Sequence, residues 1–499
     1  MSLDTHEYTH LTADEAALLA ADLYGLHCTA ARLPSEYDEN FHLTAATGEE
    51  FVLKVMHPGR ERSFIDLQCQ ALQHVARSAP ALSLPRVCTA RDGGILTTIT
   101  GPDGAQRLAW MLTFVPGRVL AEVRPHSDEL LFSLGKLLGQ MNAALIDFTH
   151  PAAQRELKWD LTRAAWIRDY IKYVPEPAHR ALVDRFLALY ESKVLPALGH
   201  LRRSIIHGDA NDYNVLVATP RAQTLTAVSV IDYGDMHYAA TVAELAVAAA
   251  YALLDKRDPL AAAAQVVAGY HSAFPLAEAE MAMLYPLICA RLSVSVVNSA
   301  YRRTLVPDDP YVTISERPAW QALDRLATVH PRLAHYTFRS ACGLPPVPQT
   351  KRVVEWLREN ANGFASILDV DVRTVPLRVF DLSPGSLETG ADPRALEPDA
   401  LTDMLFSAMK EEGVQVGIGR YDEARMFYRA PLYASGPHPA DEFRTIHLGL
   451  DLFAEPGTGV HAPLEGMVHA FANNTGRLDY GPVVILRHAT DDGQPFFTL

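Results

Sequence analysis

The sequence predicts an α+β chain with a small β-rich lobe, a larger helical lobe and, after them, an incomplete all-β domain. Three observations lead to this prediction. Short β-like runs dominate the first 115 residues, and helical periodicity dominates residues 116–345. Polar loops between β-like runs interrupt the helical part near residues 204–235. Residues 426–499 return to β-like runs separated by glycine and proline.

Length, charge and cysteine usage narrow the class of protein. A chain of 499 residues predicts two or more domains. Its 48% hydrophobic and 21% charged residues are typical of a soluble globular protein. The net charge of −15 argues against nucleic acid or an anionic membrane as the main partner, and it suits a cationic substrate. Five scattered cysteines, no signal peptide and no apolar run long enough for a bilayer predict a cytoplasmic protein without a membrane segment.

The first lobe is predicted to begin with a helix that Thr12 caps and to continue as a sheet. Its elements are a helix through Leu23, strands Cys28–Leu33, Phe41–Thr44, Phe51–Val55 and Leu108–Val115, and a helix over Arg62–Ala76. A polar loop, Ser35–Asn40, joins the first two strands. Lys54 lies on the third strand.

The second lobe contains the stretch around which the chain is organised. Ser204–Ile206 and Val215–Val217 flank a loop that places Asp209 and Asn214 in the order D-x-x-x-x-N, and a third β-like run leads to Asp232. The surrounding helices are predicted within residues 127–200 and over Tyr238–Leu254, Ala261–Phe274, Glu278–Tyr301 and Pro318–His335.

This loop matches the needs of kinase-type phosphoryl transfer. One carboxylate accepts the proton of the attacking hydroxyl, an amide oxygen helps to hold a metal ion, and a second carboxylate binds Mg²⁺ against the nucleotide phosphates. We assign these roles to Asp209, Asn214 and Asp232 in that order. The alternative is a pair of surface turns, which Asp, Asn and Gly also favour. The order of strands and loops favours the kinase interpretation.

The segments HGDANDYNVLV and IDYGDMHYA resemble the aminoglycoside phosphotransferase and choline kinase superfamily, and within it the hydroxylysine and ethanolamine-type amino-alcohol kinases. The resemblance covers roughly residues 10–345 and implies a bilobal protein-kinase-like fold, with lobes of about 1–115 and 116–345. It implies ATP and Mg²⁺ as cofactors, with Lys54 reaching the nucleotide phosphates. Ser35 or Asn40 would contact phosphate, and adenine would bond the main chain between Met111 and Phe114.

The acidic partner of Lys54 is left open by the sequence. The position where the superfamily has glutamate holds Gln68, and Asp66 and Glu61 are the nearby acids.

The resemblance places the substrate pocket in the helices after the loop. The candidates for holding an ammonium group are Asp212, Asp235 and Glu244, and those for a carboxylate are Arg291, Tyr301 and Arg302. Each of these residues is also compatible with a surface or interlobe salt bridge. The expected substrate is an amino alcohol; an aminoglycoside, homoserine, and a scaffold with a degenerate kinase fold remain as alternatives.

The C-terminal residues suggest a second kind of site. Residues 346–425 are predicted to connect the kinase-like part to a β-domain over 426–499, where His447 and Asp451 form an H-x-x-x-D pair suited to Zn²⁺. This order resembles the lysostaphin-type (M23) zinc endopeptidases, so metal-dependent peptide hydrolysis is a further alternative. No histidine matches the family position of the third zinc ligand, although His461, His469 or His488 could substitute. We also expect the sequence to be a fragment of a longer chain. Relatives of this layout imply a fused or associated pyridoxal-phosphate (PLP)-dependent phospho-lyase of the class III aminotransferase type.

Overall fold

The computed structural model describes residues 9–35, 37–219, 224–306, 316–390, 397–426, 428, 431–434, 442–476 and 478–499. The chain divides into two units, Met1–Val347 and Pro348–Leu499. Each unit is described by itself.

The first unit begins with an antiparallel five-stranded sheet in the order β1-β2-β3-β5-β4. Its strands are β1 (Cys28–Leu33), β2 (Glu39–Ala45), β3 (Glu50–Val55), β4 (Thr97–Thr100) and β5 (Gln106–Thr113). Helix α1 (Ala13–Tyr24) covers one face, where Phe41 and Leu53 are fully buried. Helix α2 (Arg62–Ser78) belongs to the core on the other face, together with Trp110. The alternation of strand side chains therefore separates Lys54 from the α1 face.

The remainder of the first unit is mainly helical. Its helices are α3 (Asp128–Leu145), α4 (Pro177–Ala197), α5 (Val242–Ala252), α6 (Pro259–Ala273), α7 (Glu278–Leu305), α8 (Glu316–Ala327) and α9 (Pro331–Ala341). The helix predicted over Trp159–Tyr173 is a 3₁₀ helix over Leu161–Tyr173. The single helix predicted over Pro318–His335 is two helices, α8 and α9, because Pro331 opens the second one.

Helices α3 and α6 touch through their backbones. A Cβ atom on Gly135 would lie 1.8 Å from the carbonyl oxygen of Val266, and one on Gly269 would lie 1.9 Å from that of Phe132. Only glycine permits this approach, which packs the two helices as one support.

Helix α7 is long and apolar enough to pass a test for membrane spanning, the one helix among the described residues that does so. Its most apolar window is 83% buried inside the first unit. This burial is what a core helix shows, and the large hydrophobic core of the unit includes α7 from Met281 to Ala300.

Short strands carry the polar loops of the larger lobe. They are β6 (Arg118–Val119), β7 (Arg203–Ile206), β8 (Val215–Ala218), β9 (Thr226–Val230) and β10 (His237–Ala240). Strand β8 pairs with β6 and β9, and β10 pairs with β7. The loop with Asp209 thus connects β7 of one sheet to β8 of the other. Asp232 lies in the loop that follows β9, the strand paired with β8.

The second unit contains helices as well as strands, and both α-helices among its described residues lie within residues 346–425, the expected connecting segment. The all-β domain expected over 426–499 is not confirmed, although several small sheets are present there. The elements of the second unit are α10 (Thr350–Glu359), α11 (Pro398–Glu412), β11 (Leu377–Phe380), β12 (Val416–Gly419), β13 (Glu423–Ala424), β14 (Ile446–His447), β15 (Asp451–Phe453), β16 (Met467–Asn473), β17 (Pro482–Ala489) and β18 (Pro495–Thr498). Strand β12 pairs with β11 and with β15. The boundary predicted at 425/426 therefore falls inside one unit, because the expected connecting segment supplies strands to the same sheet.

Candidate active site

The loop that holds Asp209 is fixed by buried hydrogen bonds from both sides. His207 is fully buried, and its Nε2 lies 3.0 Å from the carbonyl oxygen of Ile231, beside β9. Gly208 has φ of 83°, and a Cβ there would lie 2.7 Å from the carbonyl oxygen of Asp235. Its N–H donates to Glu244 Oε2 at 3.1 Å. The loop conformation therefore requires glycine at position 208.

The Asp209 carboxylate accepts three hydrogen bonds. Arg291 Nη2 donates to Oδ1 at 2.9 Å, while Asn211 Nδ2 and Asn214 Nδ2 donate to Oδ2 at 2.9 and 3.1 Å. Burial raises the pKa of Asp209, the Arg291 charge opposes this, and the charges of Asp235 and Asp232 raise the pKa further. The carboxylate is therefore held in one orientation within an acidic cleft.

Asn211 organises the turn between Asp209 and Asn214, a role that the motif did not reveal. Its Oδ1 accepts from the N–H of Tyr213 at 2.8 Å and from that of Asn214 at 3.1 Å. This is the side-chain turn that asparagine makes readily. The carbonyl of Asn214 then accepts from Ile231 N at 2.9 Å, which joins the loop to the strand before Asp232.

Asp232 adopts a left-handed backbone conformation, with φ of 61° and ψ of 84°. Such a conformation is uncommon for a residue other than glycine and marks a locally strained site. Its Oδ1 accepts from Gly234 N at 3.1 Å. Burial alone would raise the pKa of Asp232, but the charge of Lys54 and the Gly234 hydrogen bond outweigh it and hold the pKa below its usual value. Lys54 and Asp232 therefore belong to one site.

Lys54 lies on β3 with its Nζ 5.6 Å from the centre of the Trp110 ring. Among the described residues, none places a carboxylate within the 4.0 Å of an ion pair with it. Gln68 is buried in α2, Glu61 is the exposed residue before that helix, and Asp66 bonds to Gln70 and lies near His150. Within the described part of the chain, neither Glu61 nor Asp66 therefore forms an ion pair with Lys54.

The donor set of the cleft fits Mg²⁺. Asn214 Oδ1 and Asp232 Oδ2 accept no hydrogen bond from the described residues. Oxygen atoms of this kind are the ligands that Mg²⁺ takes in phosphoryl-transfer sites, where phosphate and water complete the shell. The described residues contain no group of three or more His, Cys, Asp or Glu side chains placed to hold a metal ion unaided. The cleft therefore suits a cation that arrives with nucleotide.

The other predicted nucleotide contacts are placed unequally. Ser35 is exposed in the loop before β2. Asn40 lies on β2 rather than in that loop, directly opposite Lys54, and its Oδ1 is buried without a partner among the described residues. The Met111 carbonyl already accepts from Cys88 N at 2.8 Å, and Phe114 N donates to Glu50 O at 3.0 Å. Asn40 is thus the better placed of the two polar candidates.

The three acids proposed for an ammonium group fall in different surroundings. Burial raises the pKa of Asp212 to about 6, and the charges of Arg124 and Lys256 oppose this rise. Burial and the charge of Asp232 raise the pKa of Asp235, which has no ion-pair partner within 4.0 Å among the described residues. Glu244 is fully buried and bonds the loop backbone. Glu244 is thus committed to the loop, whereas Asp235 and Asp212 remain open to a ligand.

The three candidates for a carboxylate group do not lie together. Arg291 is buried against Asp209. Tyr301 packs on Tyr170 and Tyr173, with ring centres 4.8 and 5.0 Å away. Tyr301 and Arg302 follow Arg291 by ten and eleven residues on α7, so they lie about 15 Å further along the helix.

The predicted zinc pair forms but does not fit a catalytic zinc ion. His447 Nε2 lies 3.4 Å from Asp451 Oδ1, while Asp451 Oδ2 pairs with Arg425 Nη1 at 2.7 Å. A catalytic zinc ion takes three protein ligands. The described residues place no third ligand beside this pair, and a guanidinium already neutralises the carboxylate. The expectation of Zn²⁺ at His447 and Asp451 is not supported.

Comparison with known proteins gives the first unit a family context. The profile of the phosphotransferase enzyme family matches residues 29–284. Mouse (Mus musculus) hydroxylysine kinase is 29% identical over 339 residues, which are 63% of this chain and 89% of the relative. Hydroxylysine kinase of Danio rerio is 31% identical over 313 residues, 61% of this chain and 88% of the relative.

Solved structures similar to the chain include two small-molecule kinases. An amicoumacin kinase in complex with AMP-PNP, Ca²⁺ and amicoumacin has a TM-score of 0.47 at 16% identity, covering 63% of this chain and 94% of that one. A microcompartment-associated aminopropanol kinase has a TM-score of 0.43 at 19% identity, covering 67% and 100%.

Proposed function

The chain belongs to the phosphotransferase enzyme family and is a kinase that uses an alcohol group as acceptor, and we propose that it phosphorylates the hydroxyl of an amino alcohol with ATP and Mg²⁺. Its first unit has the protein-kinase-like phosphotransferase fold. Hydroxylysine is the leading substrate, because the curated relatives from mouse and Danio rerio are hydroxylysine kinases.

The observation that carries the proposal is the meeting of Asp209, Asn214, Asp232 and Lys54 in one cleft. Asn214 bonds the Asp209 carboxylate at 3.1 Å, and Lys54 acts electrostatically on Asp232 from the sheet of the smaller lobe. These residues come from elements far apart in sequence, and their convergence gives a base, two metal ligands and a phosphate-binding cation.

Each of these side chains has a distinct task. Asp209 accepts the proton of the substrate hydroxyl as its oxygen bonds to the terminal phosphorus of ATP, while the bond from that phosphorus to the bridging oxygen breaks and ADP leaves. Asn214 and Asp232 would hold Mg²⁺, which would neutralise the charge of the transferred phosphoryl group, and Lys54 would hold the phosphates. Rate enhancement then comes mainly from positioning, because the reactants are held in line rather than brought together by diffusion.

We assign the substrate ammonium group to Asp235. This acid lies beside Asp209 and Asp232 in the cleft, and no described cation is within ion-pair distance of its carboxylate. A cationic ligand would relieve the repulsion among the three carboxylates. Asp212 is the second candidate, since its Oδ1 is buried without a hydrogen-bond partner among the described residues.

A panel assay tests the proposed function. ADP release is measured with Mg-ATP and hydroxylysine, ethanolamine, choline, homoserine or an aminoglycoside, with Asp209→Asn as the matched blank. We expect turnover on hydroxylysine that the blank lacks. Turnover on the aminoglycoside alone would replace the proposed substrate, and equal rates in the wild type and the blank would contradict the assignment of the base.

We also propose that the kinase acts together with a PLP-dependent phospho-lyase. Phosphorylation converts a hydroxyl into a good leaving group, so the product of this kinase is a natural substrate for an eliminating enzyme.

A further inference from the structure

Arg291 is a buried cation in the middle of α7, with its side chain 2% exposed. The guanidinium carbon lies 4.4 Å from the centre of the Trp159 ring and 5.3 Å from that of Tyr251. Flat contacts of this kind hold a guanidinium plane more firmly than they would hold a lysine ammonium. The side chain is therefore fixed before any ligand binds.

The hydrogen bonds of Arg291 converge on one nitrogen. Nη2 donates to Asp209 Oδ1 at 2.9 Å and to the Tyr251 hydroxyl at 3.2 Å. Nε and Nη1 are buried without a hydrogen-bond partner among the described residues. Leaving buried donors unsatisfied is destabilising. A residue retained only for packing would not need this charge, so the contact with Asp209 is the feature that explains it.

The same contact decides which oxygen of Asp209 remains available. Two carboxylate oxygens offer about four acceptor positions between them. Asn211 and Asn214 fill both positions of Oδ2, and Arg291 fills one of Oδ1. The fourth position, on Oδ1, accepts no hydrogen bond from the described residues and can take one from a substrate hydroxyl.

We propose that Arg291 is a positioning residue that turns Oδ1 of Asp209 toward the substrate hydroxyl. This inference rests on the proposed kinase function and deepens it. Arg291 clamps Oδ1 from α7, the two asparagines clamp Oδ2 from the loop, and the carboxylate cannot rotate between them. The attacking hydroxyl then lies beside the Arg291 guanidinium rather than beside the two asparagines.

Steady-state kinetics on Arg291→Met and Arg291→Lys test the proposal. We expect kcat to fall about 100-fold in the methionine variant, the cost of misplacing a catalytic group by about 1 Å, with KM for Mg-ATP within threefold of the wild type. Lysine keeps the charge but loses the planar contact, so kcat of Arg291→Lys should be about tenfold higher than that of Arg291→Met. Millimolar guanidinium added to Arg291→Ala should also raise kcat.

Arg202→Met is the matched control, because Arg202 Nε bonds Glu280 Oε1 of the same helix at 2.7 Å, outside the cleft. This variant should change thermal stability while kcat stays within threefold of the wild type. If Arg291→Met behaves like the control, Arg291 serves only the packing of α7 and the proposal is overturned.

A crystal structure of Arg291→Met without nucleotide separates this inference from the proposed substrate. The expected result is a rotated Asp209 carboxylate with Oδ1 moved from its wild-type position, whether or not any compound in the panel is phosphorylated. An unchanged Asp209 side chain would overturn the positioning role, while failure of the panel with a rotated Asp209 would overturn only the proposed substrate.

Discussion

Substitution of Glu244 tests whether this residue supports the catalytic loop or binds the substrate. Its side chain is fully buried in α5, and Oε2 accepts the Gly208 N–H at 3.1 Å, one residue before Asp209. Glu244 is one of the three acids that the resemblance suggests for an ammonium group. The structure instead indicates that it holds the backbone of the loop, since no part of the side chain is exposed to the cleft.

The size of the effect follows from this single contact. Glu244→Ala leaves the buried Gly208 donor without an acceptor, which costs roughly 1–3 kcal/mol, and adds a cavity worth about 1 kcal/mol more. We therefore expect a loss of about 2–4 kcal/mol in the free energy of unfolding. Glu244→Gln keeps an oxygen in the same place, so its loss should stay near 1 kcal/mol.

Urea unfolding measures the change in the free energy of unfolding. Steady-state kinetics with the amino alcohol measure the changes in kcat and KM. We expect Glu244→Gln to leave KM within threefold, because an amide oxygen still accepts from Gly208. Asp235→Asn serves as the comparison and should raise KM at least tenfold, since a charge-assisted hydrogen bond contributes about 1.5–3 kcal/mol. A tenfold rise in KM for Glu244→Gln, without a loss of stability, would refute the reasoning.

Three further outcomes are expected. Gly135→Ala should lower the free energy of unfolding by about 1–3 kcal/mol or more in urea titrations, because a Cβ would lie 1.8 Å from a backbone oxygen of α6, whereas Gly199→Ala, with nothing within 4 Å, should be nearly neutral. Burial lowers the pKa of His237, but the Asp160 carboxylate at 3.6 Å and a backbone carbonyl outweigh it and raise the pKa overall. The stabilisation is thus complete below about pH 6.5 and is lost as pH rises through the folded-state pKa; a His237→Gln variant measured at pH 6 and 8 should lack this loss. Lys54→Met should weaken Mg-ATP binding at least tenfold in calorimetry, and unchanged affinity would contradict its phosphate role.

The chemistry of the loop could be predicted from sequence because its parts are local. Asp209 and Asn214 lie five residues apart between two β-like runs, and Asp232 ends the next run. The strand–loop–strand order specifies their neighbourhood without knowledge of the packing.

Contacts between distant elements could not be predicted in the same way. Arg291 is 82 residues from Asp209 in sequence, and nothing near it on α7 marks it as the partner of that carboxylate. Asn211 was not among the predicted site residues, because the D-x-x-x-x-N spacing does not show that its Oδ1 accepts from two backbone N–H groups. Glu244 was misjudged because helical periodicity reports a buried face but not what the face covers.

The C-terminal unit shows how little of the pairing of short strands could be predicted from sequence. His447 and Asp451 lie close together, as the four-residue spacing allows, but this pair alone does not make a zinc site. Pairing of β12 with β15 was not foreseen, because register depends on partners that the local pattern does not identify. Arg425 reaches Asp451 through that arrangement and neutralises its carboxylate.

The most direct test of the central claim is ³¹P NMR of the reaction of the full chain with Mg-ATP and hydroxylysine. We expect a new phosphomonoester resonance that is coupled to the carbinol proton of the substrate. It should appear with the wild type and be absent with Asp209→Asn. Release of inorganic phosphate alone, or the same phosphomonoester from Asp209→Asn, would contradict transfer to the substrate hydroxyl with Asp209 as the base.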